Sequence, residues 1–218
     1  MLALVRTTGG PRNGHAPHPG HSGRWHRYGD RCHLDGLGRQ AQLTEQSLAQ
    51  TERSLTKQNE RLRISLEVDL LDRLQDRYDS QLFIGRRSAA AKYLLDNAFV
   101  DDRMVEVERL NNAAFQVCNF FENLAYLQTI DALSATAVWN TFSWDLRIHW
   151  SLCKSGIEKL REEWQDPTLY EEFERLSRLM GDMFRERGIP PAPTPEAIRQ
   201  GLEEEAARGE EPRTTVTE

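Results

Sequence analysis

Proline is absent from Arg39 to Asp166, and eight of the 14 glycines stand before Arg39, so the middle of the chain holds little that would break a helix. Cysteine is scarce: Cys32, Cys118 and Cys153 are an odd number with no CxxC pair, which fits no disulfide framework. Cys118 and Cys153 fall inside apolar helical patterns, where a free thiol acts as a small core residue, and a reducing compartment is expected. No window reaches about 18 uninterrupted apolar residues, so no membrane-spanning helix is visible. The apolar run Met1 to Val5 is too short for a secretory signal and meets Gly-Gly-Pro at once. Collagen, a Pro-rich scaffold and a disulfide-stapled mini-protein are excluded. So is a wholly disordered chain, because the Pro-free span carries most of the aromatic and aliphatic residues. GxGxxG, GxxxxGK[ST], HExxH and GxSxG are all missing, and no cofactor is expected.

What is present is unevenly spread. Residues 1–40 carry six Arg against two Asp, residues 41–186 carry 18 basic against 25 acidic, and the tail from Arg187 carries four against seven. A body with that acidic excess argues against a general nucleic-acid binder, which needs a concentrated basic surface. Five of the six histidines lie before Arg39. Among them His15, His18, His21 and His33, with Cys32, are candidate metal ligands by chemistry, although no paired-ligand spacing repeats. Residues 1–38 read as a structureless Gly-, His-, Pro- and Arg-rich segment.

From residue 39 the texture changes to helix formers. Leu48, Leu55 and Leu62 recur every seven residues, while Glu52 and Asn59, which would complete a coiled coil, are polar. The seam then widens into Leu66, Leu70, Leu71, Leu74 and Tyr78, so residues 39–79 are expected to form one long amphipathic helix, partly coiled-coil-like. A bundle domain over 80–188 follows. Asp79 and Ser80 are caps for a helix from Gln81 to Asn97. Asp101-Asp102 opens a third helix, with the stripe Val107, Leu110, Ala114, Val117, Phe121 and Leu124. Ser134 caps a fourth running to about Ser155, where Gly156 ends or kinks it before a short piece from Ile157 to Trp164. A capping box at Thr168 to Glu171 starts the last, with Phe173, Leu176, Met180 and Phe184 inward and a stop at Gly188. Residues 189–218 read as a Pro-rich and then acidic disordered tail with no core to join. There is no convincing strand. The fold class is all-α: about five core helices with a long N-terminal helix and disordered ends.

Polar residues embedded in apolar stripes are the specific leads. Glu122 lies beside the main stripe of the third helix, and a half-buried carboxylate either finds a cation or rises in pKa. Arg86, Arg87, Arg147 and His149 are its candidate partners, and an inter-helix Glu–Arg pair that fixes packing is the expected outcome. As a catalytic set, Glu122, His149, Arg147 and Arg86 would suit a small helical nuclease, perhaps in phage defence. Small helical endoribonucleases often show an Arg followed by four to six residues and then a His, a spacing that Arg147-Ile148-His149 misses. Asn119 has the same two readings. Trp139 and Trp150 share a face that fits the core, whereas an exposed Trp144 would mark a partner surface.

Several blocks together carry a resemblance: Arg39-Gln40-Ala41-Gln42-Leu43, Tyr78-Asp79-Ser80 with Arg86-Arg87, Asn119-Phe120-Phe121-Glu122, Ile130-Asp131, Phe142 with Trp150, and Tyr170-Glu171-Glu172-Phe173. Over about residues 39–185 the chain resembles the bacterial family known as domain of unknown function DUF4760. The resemblance implies packed helices and no assigned activity. It also implies a membrane-spanning helix just ahead of the Arg-Gln block, where this chain has residues 1–38, a composition that GC-rich coding DNA gives in a wrong frame. The expectation is a cytoplasmic, non-enzymatic interaction or regulatory module that self-associates or meets a protein partner through residues 42–78. It would sit on the inner membrane face if an upstream anchor belongs to it.

Overall fold

In a computed structural model of the chain, residues 29–100 and 103–209 are described, the side chains of residues 29–39 and 41 excepted. Two compact units divide between Gln58 and Asn59, within the first helix. Up to Gln58 the described residues belong to α1 (Gly29–Tyr78) alone. It begins ten residues earlier than the composition suggests, because a glycine costs a helix only about 1 kcal/mol and no proline follows Pro19 until Pro167.

The second unit contains the end of α1, then α2 (Gln81–Ala98), the two-residue strands β1 (Phe99–Val100) and β2 (Arg103–Met104), α3 (Asn112–Thr129), α4 (Ala135–Trp164), α5 (Glu171–Glu186) and α6 (Pro195–Arg208). The fold of this unit is all-α, a bundle in which α2 to α6 pack with the end of α1. Ser80 caps α2 by accepting from Phe83 N, and Ser134 caps α4 by accepting from Ala137 N, as their positions in the sequence foretell. The centre of the core is aromatic. Tyr78, closing α1, meets Phe83, Phe120, Phe121 and Phe142 with ring centroids 5.0 to 6.2 Å apart, and Phe121 stacks on Phe173 at 5.3 Å.

Four expectations need correction. The third helix does not start at Asp101-Asp102. Phe99 pairs with Met104 and Val100 with Arg103 in an antiparallel ladder, and α3 begins only at Asn112, capped by the Asn111 side chain. Val107 is buried and Leu110 packs on the core from non-helical chain, so the spacing of three and four imitated one continuous stripe. Helix α4 runs unbroken through Gly156. A Cβ there would lie 2.9 Å from Leu110 Cγ and 3.0 Å from the Val107 carbonyl oxygen, so the glycine lets the 105–111 segment cross the helix rather than ending it. Helix α5 does not use a Thr168 capping box: both the backbone N–H and the hydroxyl of Thr168 turn to Asp166 Oδ1, and the helix starts from Tyr170 in the left-handed region at φ 59°.

The fourth correction concerns the tail, expected to be disordered. Pro195 occupies the first turn of α6, where its missing N–H is not needed, and Thr194 accepts from Ala197 N. Ile198, Leu202 and Ala206, one turn apart, are buried in the core that includes α2. Ser88 of α2 donates to the Ala206 carbonyl at 2.8 Å.

Candidate functional site

Glu122 has found a partner, but it is a helix end rather than an arginine. Its Oε2 accepts from Phe173 N at 2.7 Å. The need for it is local: Tyr170 at the head of α5 has no side chain that can cap, and its left-handed backbone costs on the order of 1 kcal/mol unless held. Tyr170 Oη donates to Asn119 Oδ1 at 2.9 Å, so two residues one turn apart on α3 fix the start of α5. Burial lifts the Glu122 carboxyl above its usual range, while the N–H groups of Phe173 and Glu172 pull the other way. Glu67 of α1 repeats the device by accepting from Ser134 N at 2.7 Å, at the head of α4. Glu122→Ala is therefore expected to cost about 1–2 kcal/mol of stability, the loss of one charged cap at a helix N-terminus. Glu122→Gln, which keeps an acceptor, should restore about half in the same thermal melts.

The other sequence-nominated residues do not gather around it. Arg86 reaches Gln116 Oε1 at 3.5 Å and lines a cleft of about 650 Å³ between α2, the start of α3 and the end of α6. Arg147 donates to the Pro190 carbonyl at 3.0 Å, with its guanidinium over the Phe184 ring at 4.0 Å and the Trp144 ring at 5.2 Å. His149 Nδ1 sits 2.8 Å from the Asp145 carbonyl; a carbonyl only accepts, so Nδ1 carries the proton and Nε2 is left as a buried acceptor with no partner. Burial pushes the imidazole below its usual pKa and keeps the ring neutral. Trp139 and Trp150 pack on Phe184 and Phe173, and Trp144 is exposed. The thiols of Cys118 and Cys153 are buried and free, that of Cys118 held well above its ordinary pKa by its hydrogen bond with Cys153 and by burial. Of the metal-ligand candidates, His15, His18 and His21 lie outside the described residues, as do the side chains of Cys32 and His33. No described group of His, Cys, Asp and Glu is arranged to hold a metal ion.

The polar centre that the fold does build lies around Arg87, which is 1% exposed. Its Nη1 reaches Glu205 Oε2 at 3.4 Å, its Nε lies 3.3 Å from Glu205 Oε1, and its Nη2 is 3.7 Å from Asp79 Oδ1. Its flat face covers the Tyr78 ring at 3.8 Å. Burial raises the Glu205 carboxyl, opposed by Arg87 and Arg208, and lifts the Tyr78 hydroxyl well above its usual pKa. Arg87 was nominated from the sequence as a partner for Glu122; its real partner is 118 residues away. Glu205 itself escaped notice, although it stands seven residues after Ile198 and three after Leu202, on the buried face of α6.

Such an arrangement defines an all-α domain whose buried polar groups join helix to helix around one enclosed arginine. The chain belongs to the family described as Domain of unknown function (DUF4760), which matches residues 42–180. Helix α6, with Glu205, lies beyond the matched stretch. No curated protein and no solved structure matches the chain. No helix among the described residues is long and apolar enough to cross a membrane.

Proposed function

We propose that this protein is a non-enzymatic interaction module that self-associates through α1. The observation that carries the reading is the leucine seam on that helix: Leu48, Leu55 and Leu62 are 60%, 53% and 61% exposed at seven-residue spacing, outside the core that α2 to α6 share. A second copy is the fitting occupant, because Asn59 stands at the inner position between Leu55 and Leu62, where asparagine sets register in two-stranded coils at some cost in stability. Glu52 at the preceding inner position keeps the association weak and reversible. The non-enzymatic reading draws support from Glu122, Arg147 and Arg86, each engaged with another helix or the segment beside it. The location proposed is the cytoplasm. The family resemblance, whose members carry an anchor ahead of the Arg39 block, extends that to the cytoplasmic face of the inner membrane.

Sedimentation equilibrium of the full chain tests the seam. The wild type is expected to show a concentration-dependent dimer, and Leu55→Glu with Leu62→Glu to be monomeric at the same thermal midpoint, since both side chains are exposed. A wild type that stays monomeric at every concentration overturns the reading.

A further inference from the structure

The inner positions of the α1 seam, which alternate with Leu48, Leu55 and Leu62, are filled in order by Glu45, Glu52, Asn59 and Leu66, and all of these side chains are exposed. How two copies meet decides what those residues face. With the helices parallel and aligned, each inner residue meets its own copy, so the Asn59 amide, which both donates and accepts, bonds to a second amide. With the helices antiparallel, inner residues lie opposite leucines, and Asn59 loses that bond against an apolar side chain. The pairing that suits Asn59 also brings like charges together: Glu45 faces Glu45, and Glu52 faces Glu52, of the second copy.

Nothing along the seam offsets those charges. Gln42, Thr44, Ala49, Thr51 and Thr56, which flank the two glutamates, are uncharged, and in a parallel pair the same residues of the second copy lie across from them. The cations of this stretch, Arg53 and Lys57, stand on the outer face of the helix. The rim of such a seam is open to water and salt, so the repulsion loosens the pair without forbidding it. Two carboxylates held face to face share a proton more readily than either alone holds one. The paired state therefore binds more protons than the separate chains and is favoured as pH falls. We propose, building on self-association through α1, that two copies pair with these helices parallel and aligned, and that the facing Glu45 and Glu52 carboxylates gate the pair, loose when ionised and tight when protonated.

Sedimentation equilibrium of the full chain tests this in two steps. The wild type is expected to associate about tenfold more tightly at about pH 5 than at about pH 7.5. Glu45→Gln with Glu52→Gln, changes at exposed residues, should associate about tenfold more tightly than wild type at the higher pH and lose the pH dependence. The second step reads the alignment directly: a fluorescently labelled Glu45→Lys, Glu52→Lys chain mixed with wild type should form a mixed pair about a hundredfold tighter than either self-pair, because only aligned parallel helices set lysine against glutamate in both layers. A wild-type dimer whose affinity is the same at both pH values, a glutamine variant no tighter than wild type, or a lysine variant that shows no preference for wild type overturns the gating and leaves self-association standing. Monomers in every chain at both pH values overturn self-association itself, and the gating with it.

Discussion

Arg87→Ala is expected to lower the unfolding free energy by about 3–5 kcal/mol, the cost of removing one partner from a buried ion pair. In a chain of this length that moves the thermal midpoint by on the order of 10 °C. The substitution strands Glu205 with only the exposed Arg208 near its carboxylate, and it strips the cation from the Tyr78 ring. The companion variant separates charge loss from packing loss. Arg87→Met with Glu205→Leu replaces both charges by apolar groups of similar bulk, and such replacements are often neutral or stabilising, so the double variant should recover most of the midpoint. Equal destabilisation in the single and double variants would mean that the arginine acts through its shape and not through its charge. Differential scanning calorimetry of the three chains decides it.

Ending the chain at Gly188 is expected to cost more. It removes Glu205 from Arg87, worth about 3–5 kcal/mol, and uncovers the core that Ile198 and Leu202 close, worth about 1.5–3 kcal/mol for each side chain. Ser88 also loses the Ala206 carbonyl. Most of an ordinary domain's stability lies in that sum. The measurable signature is a lower midpoint together with amide exchange in α2, the helix α6 covers, rising ahead of the rest. Were the acidic tail frayed, as its composition suggests, the truncated chain would melt where the full one does.

The elements legible in the sequence were those whose signals are local. Leu48 to Tyr78, the Ser80 and Ser134 caps, and the Phe173 to Phe184 stripe each announce themselves within a turn or two of helix, and the structure places all of them. The misreadings share a cause: each turned on what lies across the molecule. Gly156 looks like a stop until Val107 and Leu110 are seen crossing it. Pro195 looks like a breaker until it is seen as the first residue of α6. Glu122 stands out in the sequence because a carboxylate beside an apolar stripe must be compensated. Its compensation by the backbone of α5 was not foreseeable, since a helix N-terminus donates with groups that every residue owns. The Arg87 centre was half legible: Arg87 sits among alanines on the buried face of α2, whereas the stripe of α6 has too few apolar residues to announce that it belongs to the core.

The long sequence separation of Arg87 and Glu205 also bears on how the protein comes into being. During synthesis α2 emerges well before α6, so the arginine waits without its counterion until Glu205, 118 residues further on, is made. Loop closure over that span is slow compared with forming the local helices, which points to a late, rate-limiting docking step. Chains halted before α6 would then display an open α2 face, and quality-control proteases would see them as unfinished.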